Sequence, residues 1–424
     1  MFKTALKMLY SERKKSLNFL FSITTTLCIS LIFLQFQTNP HISSKISFLD
    51  IFLQNENYLL AWLAFGVMLI CFALMGYSCN YYMRVHSREY GLLRLCGYSF
   101  FKILLYQMTQ ITVIMIISFI ITILLSFIYI PIFLYIIYHY TNMNYSIFIY
   151  PVPALTMSCT IVIPLMLIII LFMQCRYIQS HSISDLLKQN HLTEYNEDNN
   201  TFHIPDAIYL FAYLLGLLTM YLDNEFSIGF VFAACIGIYG AYGIFYYWIP
   251  HTIAEALDNL NIKANHCIVF GNLSLFVQQS KTLIIFIMLS VILLPTFILA
   301  SIEKNLLHIS LHITIVLINS LLSLSLINRY NLDLFEKKQQ YHNLFCIGLE
   351  KHEIFHIAQK EVLFFYIILF ISTIIYLIGI FSVFYFNAII DPLLYFVIFL
   401  EYLLPYFISF IYTYTQRRNF SCHS

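Results

Sequence analysis

An HExxH pattern is the first chemical feature of the sequence. Residues 352–356 read His-Glu-Ile-Phe-His. In metalloproteases with this pattern, two histidines on one helical face hold zinc and the glutamate activates water, and a third protein ligand completes the site. Glu361 lies too near on the same helix to be that ligand, and Asp391 is expected at the opposite face of a membrane. We therefore predict no metal here and keep an intramembrane zinc protease as the least favoured function.

Ionisable residues inside apolar segments are the second chemical feature. Glu401 lies about ten residues into the last apolar segment, where a charge is costly and must face protein or water. It is either a contact for a cationic substrate or pivot of a transport cycle, or a structural hydrogen-bond partner of Asn319 or Ser320, which we favour. His308 and His312 are interpreted as an interfacial hydrogen-bonding pair in preference to a ligand or pH-sensing site.

Composition and missing motifs exclude several classes of protein. Hydrophobic residues make up 60% of the chain and charged residues 10%, whereas a globular domain has about 25% charged residues. A soluble enzyme or a nucleic-acid binder is thereby excluded. No GxxxxGK[ST] loop is present, so we expect no ATP site and no cofactor in this chain. The ten cysteines show no CxxC spacing and are expected to be free thiols.

Ten apolar segments approach the roughly 20 residues needed to cross a bilayer. They are Ser16–Phe36, Tyr58–Tyr82, Ile103–Ile128, Val152–Gln174, Ala207–Leu222, Ser227–Trp248, Thr282–Ile302, Leu306–Ile327, Leu363–Phe386 and Pro392–Thr413. All Lys and Arg residues except Lys45 and Lys304 fall on one side of this arrangement. The positive-inside rule then places both termini in the cytoplasm. We predict an all-α integral membrane protein with about ten transmembrane helices.

Two of these segments carry additional signals. The sixth has a stripe of small residues that should let another helix approach closely. The stripe consists of Gly229, Ala233, Gly237 and Ala241. The third continues beyond the bilayer, and Pro131 predicts a break before an external aromatic helix over Ile130–Tyr140. This aromatic lip suits interfacial anchoring, and equally contact with an amphiphile.

An internal repeat relates two segments on the predicted cytoplasmic side, residues 87–110 and 338–361. At an offset of 251 residues four identities align. They are Tyr90 with Tyr341, Leu93 with Leu344, Gly97 with Gly348 and Ile103 with Ile354. Each copy predicts a short helix, a glycine with positive φ as its C-cap, and a second helix entering the membrane. A weaker similarity links the N-terminal residues to residues 269–281, both read as amphipathic lead-ins at the inner interface.

The repeat implies two related halves around a central insertion. Residues 1–188 form the first half, with spans one to four and a coupling segment at 84–102. Residues 189–265 contain a cytoplasmic linker and spans five and six. Residues 266–424 form the second half, with spans seven to ten and a coupling segment at 328–361. Duplicated membrane proteins of this kind commonly form transporters with the path between their halves.

The first copy of the repeat resembles the signature of FtsX-like permeases of ABC transporters. The matching residues are Arg88, Glu89, Leu92, Leu93, Arg94 and Gly97. The second copy resembles the second half of ten-span permeases of the bacitracin-export type. Its matching residues are Gln340, Tyr341, Leu344, Gly348 and Glu361. The sequence departs from that type between spans seven and eight, where Glu303–Asn305 replaces a large extracellular domain.

The resemblance implies a function and partners. The chain would be a permease subunit in a bacterial cell membrane that exports antimicrobial peptides or lipid-like amphiphiles, or removes them from the membrane, for resistance or self-immunity. ATP and Mg would be held by a separate cytoplasmic ATPase, expected in two copies, and the permease itself would not be an enzyme. Partners in that family also include membrane lipids and a sensor histidine kinase; nucleic acid is not expected. The alternative is a non-transporting FtsX-like protein that transmits a signal.

Two groups of residues are therefore candidates for the site. The first group would couple the membrane helices to the ATPase. It comprises Arg88, Glu89, Arg94, Gly97, Lys102, Glu336, Lys337, Gln340, Gly348 and Glu350. The second group would contact substrate or gate its path. It comprises Glu401, Tyr138, Tyr140, Phe148 and Tyr150.

Overall fold

The computed structural model of the chain confirms an all-α fold. It describes residues 7–9, 13–39, 56–141, 152–181, 206–222, 228–259, 264–300, 305–386 and 392–418. Apart from short turns these residues are helical, and none of them lies in a β-strand. Long apolar runs favour this result, because a helix satisfies its backbone hydrogen bonds within one segment, as a hydrocarbon environment requires.

The chain divides into two compact units. The first contains residues 1–194 together with 303–310, and the second contains residues 195–302 together with 311–424. The sequence predicts residues 189–265 as an insertion between two halves. In the structure, nearly all of that segment belongs to the second unit.

The first unit is built around its first helix. Its helices are α1 (Arg13–Thr38), α2 (Glu56–Val85), α3 (Ser87–Leu95), α4 (Phe100–Tyr140), α5 (Val152–Met157) and α6 (Ile163–Ser180), with a π-helical turn at Ser158–Val162 between the last two. Helix α1 packs against α2 and α4, and α2 packs against α6. Phe19, Ile23 and Leu27 on α1 are buried in these contacts. This core supports the two helices that flank the first copy of the repeat.

The second unit contains the second copy of the repeat. Its helices are α7 (Asp206–Leu222), α8 (Ile228–Gly243), α9 (Ile249–Asn259), α10 (Ala264–Gln279), α11 (Lys281–Ala300), α12 (Asn305–Cys346), α13 (Lys351–Phe386) and α14 (Pro392–Arg418), with a π-helical turn at Ile244–Trp248. Helix α12 belongs to this unit from Leu311 onward. Helix α13 packs against α10, α11 and α14, and α7 packs along α8. Helix α13, which leaves the second copy of the repeat, is thus central to its unit.

Seven described helices are long and apolar enough to span a membrane. They contain the segments Ser16–Thr38, Leu63–Val85, Phe100–Tyr140, Val152–Ser180, His308–Leu334, Lys351–Ser382 and Leu393–Gln416. An eighth span results if α10 and α11 count as one, although the two are bent by 71° at Ser280. The predicted fifth span is a helix of only 17 residues, about 25 Å long against a hydrocarbon core of about 30 Å. The described helices therefore give seven or eight spans where the sequence predicts ten.

Two long helices are continuous where the sequence predicts breaks. The sequence predicts a break at Pro131, but α4 continues through it for 41 residues. A proline removes only one backbone hydrogen bond, and apolar helices tolerate this loss where neighbouring groups compensate. The second copy also lacks a separate short helix, since α12 runs unbroken for 42 residues to Cys346. In the first copy the break lies at His86, with φ −103° and ψ 10°.

Candidate functional site: two copies of one turn

The two repeat copies form the same turn. Gly97 has φ 80° and Gly348 has φ 112°, so the predicted positive φ is observed at both. The N–H of Tyr98 donates to the carbonyl of Leu93 (3.1 Å), and the N–H of Leu349 donates to that of Leu344 (3.2 Å). Each glycine N–H donates in turn to the carbonyl three residues earlier. This is the Schellman arrangement, in which a residue with positive φ closes a helix C-terminus.

The helix that follows each turn also begins in the same way. The carbonyl of Ser99 accepts the N–H groups of Lys102 and Ile103, and the carbonyl of Glu350 accepts those of the residues at the matching positions, Glu353 and Ile354. The two turns are therefore equivalent from the last turn of one helix to the first turn of the next.

The HExxH pattern belongs to this helix start. The Glu353 carboxylate accepts the backbone N–H of Glu350 at 3.1 Å, as the third residue of a capping box does. His352 and His356 are exposed, with ring centroids 5.8 Å apart. Within the described part of the chain no group of three or more His, Cys, Asp or Glu residues could hold a metal ion. Helix capping thus accounts for the glutamate of the pattern.

The tips of the turns expose apolar side chains that the sequence analysis did not select. Phe101 and Ile347 are each 78% exposed. Among the predicted coupling residues, Lys102 and Glu350 are also exposed beside these tips, and Arg88 is exposed at the start of α3. Phe101 was missed because it lies in the first turn of the long apolar helix α4 and looks like part of its membrane-spanning run. Each tip therefore combines apolar and charged groups, a composition that suits contact with another protein.

A buried polar cluster lies behind the first turn. The Tyr106 hydroxyl donates to Glu89 Oε2 (3.3 Å), and Gln110 Nε2 donates to the Tyr106 hydroxyl (3.1 Å). The Tyr82 hydroxyl donates to Gln110 Oε1 (3.3 Å), while His86 Nε2 lies 4.0 Å from Glu89 Oε1. Glu89, predicted to dock the ATPase, is thus directed inward. These contacts connect α2, α3 and α4.

A second buried cluster lies behind the second turn and contains an ion pair. Lys337 Nζ lies 3.0 Å from Asp333 Oδ1 and 3.1 Å from Glu361 Oε2. Lys337 is buried, which corrects its expected place on a docking surface. Its charge was read as exposed because the sequence does not show that two carboxylates enclose it. The side chain of Glu336 lies outside the described residues.

Other polar groups complete the second cluster around Glu361. The Tyr341 hydroxyl donates to Glu361 Oε2 (3.2 Å), and Asn272 Nδ2 donates to Glu361 Oε1 (2.6 Å). Gln340 Nε2 donates to Asn272 Oδ1 (3.2 Å). Gln340, a predicted coupling residue, therefore bonds within the chain. The cluster connects α10, α12 and α13.

Tyr90 and Tyr341 are the matching aromatic residues of the two copies. Both rings are buried. The Tyr90 hydroxyl has no hydrogen-bond partner among the described residues, and burial raises its pKa well above the ordinary value. Tyr90 therefore remains neutral at physiological pH and acts as a packing residue.

Arg94 fastens the first turn to the end of another helix. Its Nη1 donates to the carbonyl of His181 at 3.1 Å, just past the C-terminus of α6. Carbonyls at a helix C-terminus lack partners within the helix and attract cations. Arg94 is only half-buried, but its guanidinium is engaged in holding the turn in place.

Glu401 pairs with a residue that the sequence analysis treated separately. Its Oε2 lies 2.8 Å from His312 Nδ1, and the two side chains are about one-fifth exposed (19% and 18%). The expected partner Asn319 instead accepts hydrogen bonds from Ser290 (3.1 Å) and Tyr406 (3.2 Å). The sequence could not select His312 because the two residues lie on different helices, 89 positions apart. The pair joins α12 to α14.

The predicted aromatic lip is only partly present as expected. Tyr138 is buried, and its hydroxyl accepts a hydrogen bond from Asn39 Nδ2 at 2.9 Å. Tyr140 is 64% exposed at the end of α4. Phe148 and Tyr150 lie outside the described residues. Tyr140 is thus the described member of the lip that is open to contact.

Fold and site together define a polytopic all-α membrane protein in which a positive-φ turn recurs at the ends of long apolar helices. Residues 61–178 match the family model described as FtsX-like permease C-terminal. The matched segment runs from α2 through the first turn to α6, so this part of the chain is similar to FtsX-like permease domains. FtsX-like permeases are membrane permease components of ABC-type systems rather than enzymes. No curated protein matches the chain.

Proposed function

We propose that this chain is the permease subunit of an ATP-driven transporter that exports amphiphilic antimicrobial peptides or lipid-like amphiphiles, or removes them from a bacterial cell membrane. A separate cytoplasmic ATPase, present in two copies, would bind ATP and Mg. Both chain termini would be cytoplasmic. The observation that carries the proposal is the FtsX-like segment at 61–178, which contains one of two equivalent turns.

The two turns support a pair of ATPase contacts. Phe101 and Ile347 are exposed at the tips of helices that continue into apolar segments. An apolar tip bounded by charged residues is suited to a groove on another protein. Because α4 and α12 are each longer than a bilayer is thick, a displacement at either tip would reach the membrane.

The pair of His312 and Glu401 supports an amphiphilic substrate with a cationic group. Glu401 is partly accessible, and the neighbouring side chains Leu400 and Leu404 are exposed. A carboxylate within an apolar surface can attract an ammonium or guanidinium group while the surface accepts an apolar tail. A highly charged soluble solute would find no comparable set of partners there.

Reconstitution tests this function directly. The chain would be purified with an ATPase expressed from the same operon and placed in vesicles, where cationic amphiphilic peptides should stimulate ATP hydrolysis and be released from the membrane. Phe101→Ser with Ile347→Ser should abolish co-purification of the ATPase. His251→Ser serves as the control. His251 is exposed on α9, away from both turns in the sequence, so this variant should still bind the ATPase.

Two results would contradict the proposal. If peptides stimulate hydrolysis but are never released, the chain acts as a signalling protein. If deletion of the chain leaves peptide tolerance unchanged while import of a polar nutrient fails, the direction and substrate class are both wrong.

A further inference from the structure

The two buried clusters occupy equivalent positions in the two repeat copies. The offset of 251 residues that aligns Gly97 with Gly348 also aligns their members. It pairs His86 with Lys337, Glu89 with Gln340, Tyr90 with Tyr341 and Gln110 with Glu361. Each cluster thus has a basic residue, a carboxylate and an amide at three matching positions, on the helices that flank one turn.

The carboxylate and the amide have exchanged places between the copies. In the first, the acid is Glu89 before the turn and the amide is Gln110 after it; in the second, Gln340 precedes the turn and Glu361 follows it. One polar group bridges the two positions in each case. That group is Tyr106 in the first copy (3.3 and 3.1 Å) and Asn272 in the second (2.6 and 3.2 Å).

This exchange keeps one carboxylate and one amide at the two exchanged positions, and the second cluster has Asp333 as an additional acid beside Lys337. Two carboxylates at the exchanged positions would repel each other. Two amides would leave His86 without an acid in the first copy and would remove one of the two acids beside Lys337 in the second. With one acid and one amide, both side chains can bond to the bridging polar group, whichever of the two positions holds the acid. Apolar packing would hold the helices equally well, so the presence of both polar groups in each copy points to a role that needs directional hydrogen bonds.

We propose that each cluster is a clamp that fixes the helix entering the turn against the helix leaving it. A displacement of the turn is then transmitted to the membrane helices instead of being absorbed by bending at the glycine. Glu89, Gln110, Gln340 and Glu361 are positioning residues in this scheme. The transmission of an ATPase-driven displacement to the membrane helices rests on the proposed function. The structural clamp does not depend on it.

An exchange of the two residues tests the clamp in the first copy. Glu89→Gln alone and Gln110→Glu alone should each lower the thermal unfolding midpoint of the purified full chain. Each should also reduce peptide-stimulated hydrolysis in the complex with the ATPase about tenfold, the scale of one charge-assisted hydrogen bond. The double variant Glu89→Gln with Gln110→Glu places the acid and the amide as in the second copy and should recover both measurements to within about threefold.

A matched control separates position from composition. Gln107 is a fully buried amide one turn before Gln110, and its side chain has no hydrogen-bond partner among the described residues. Glu89→Gln with Gln107→Glu has the same amino-acid composition as Glu89→Gln with Gln110→Glu but places the acid outside the cluster. It should therefore recover neither the unfolding midpoint nor peptide-stimulated hydrolysis. Recovery in this control, or a double exchange no better than the worse single variant, overturns the proposal.

The second copy provides an independent version of the test. Gln340→Glu places a carboxylate three residues after Lys337, the spacing of His86 and Glu89 in the first copy. Combined with Glu361→Gln it should restore what each single variant loses. The unfolding midpoint needs no ATPase, so it tests the clamp even if the wild-type chain binds none, in which case only the proposed function fails. Recovery of the midpoint without recovery of hydrolysis overturns the transmitting role.

Discussion

Gly97 and Gly348 close the same turn at two places in the chain, with φ of 80° and 112°. A Cβ built on either residue would have no atom within 4 Å. The space around both glycines is open, so what requires glycine is the backbone conformation. Any loss of stability or coupling when either glycine is replaced therefore reports on the backbone conformation of the turn and not on a steric clash.

Replacing these glycines with valine should destabilise both turns. A residue with a branched Cβ at positive φ costs about 1–2 kcal/mol, enough to open the turn and uncouple ATP hydrolysis from peptide without preventing membrane insertion. Asparagine tolerates the left-handed region, so Gly97→Asn should retain most of the coupling. At φ 112° even asparagine fits poorly, and Gly348→Asn should lose more. Peptide-stimulated ATP hydrolysis would be measured for all four variants. Unchanged stimulation in both valine variants would contradict the coupling role.

Local features of the fold were predictable from sequence, and contacts between distant residues were not. The apolar runs predicted the helices, and Gly97 and Gly348 predicted the caps, because both depend on neighbouring residues. The partner of Glu401 was missed, since sequence spacing gives no information on which faces of α12 and α14 meet. The clusters were missed for a similar reason: Glu89 and Lys337 are charged, and a charged residue in a loop-like segment is normally exposed.

The effects of replacing His312 and Glu401 on stability should not be additive. His312→Leu leaves the carboxylate without its imidazole partner in an apolar setting and should cost about 1–3 kcal/mol of stability. Adding Glu401→Leu removes the orphaned charge, so the double variant should be close to the wild type. Thermal unfolding in detergent measures this cycle. Additive losses would mean that the two side chains do not interact in the folded protein.

The same residues can be tested for contact with substrate. Glu401→Gln keeps a hydrogen-bond acceptor for His312 but removes the negative charge. It should leave the unfolding midpoint nearly unchanged while weakening stimulation by cationic peptides more than by neutral amphiphiles. Equal weakening for both classes of amphiphile would argue against an electrostatic role of Glu401.

Orientation in the membrane can be measured by labelling. In a cysteine-free background, a cysteine replacing Ser43 or Asn142 should react with an impermeant thiol reagent added outside intact cells, whereas one replacing Ser180 or Ser421 should react only after lysis. The reason is the concentration of Lys and Arg on the side that contains Ser180 and Ser421. External labelling at Ser421 would make the number of spans odd and contradict two cytoplasmic termini.

The packing of α7 against α8 should depend on Gly240, which the predicted small-residue stripe did not include. A Cβ at Gly240 would overlap the backbone of Tyr213 on the facing helix, and backbone atoms cannot move aside as a flexible side chain can. Gly240→Ala should therefore destabilise the protein by about 1–3 kcal/mol.

Gly66 on α2 provides the matched control for this substitution. A Cβ there meets nothing within 4 Å, so Gly66→Ala should instead stabilise the helix by up to about 1 kcal/mol through the higher helix propensity of alanine. The unfolding midpoint should thus fall for one Gly→Ala change and rise for the other. If both changes raise it, α7 and α8 are not in close contact, because helix propensity alone would then determine the outcome at Gly240.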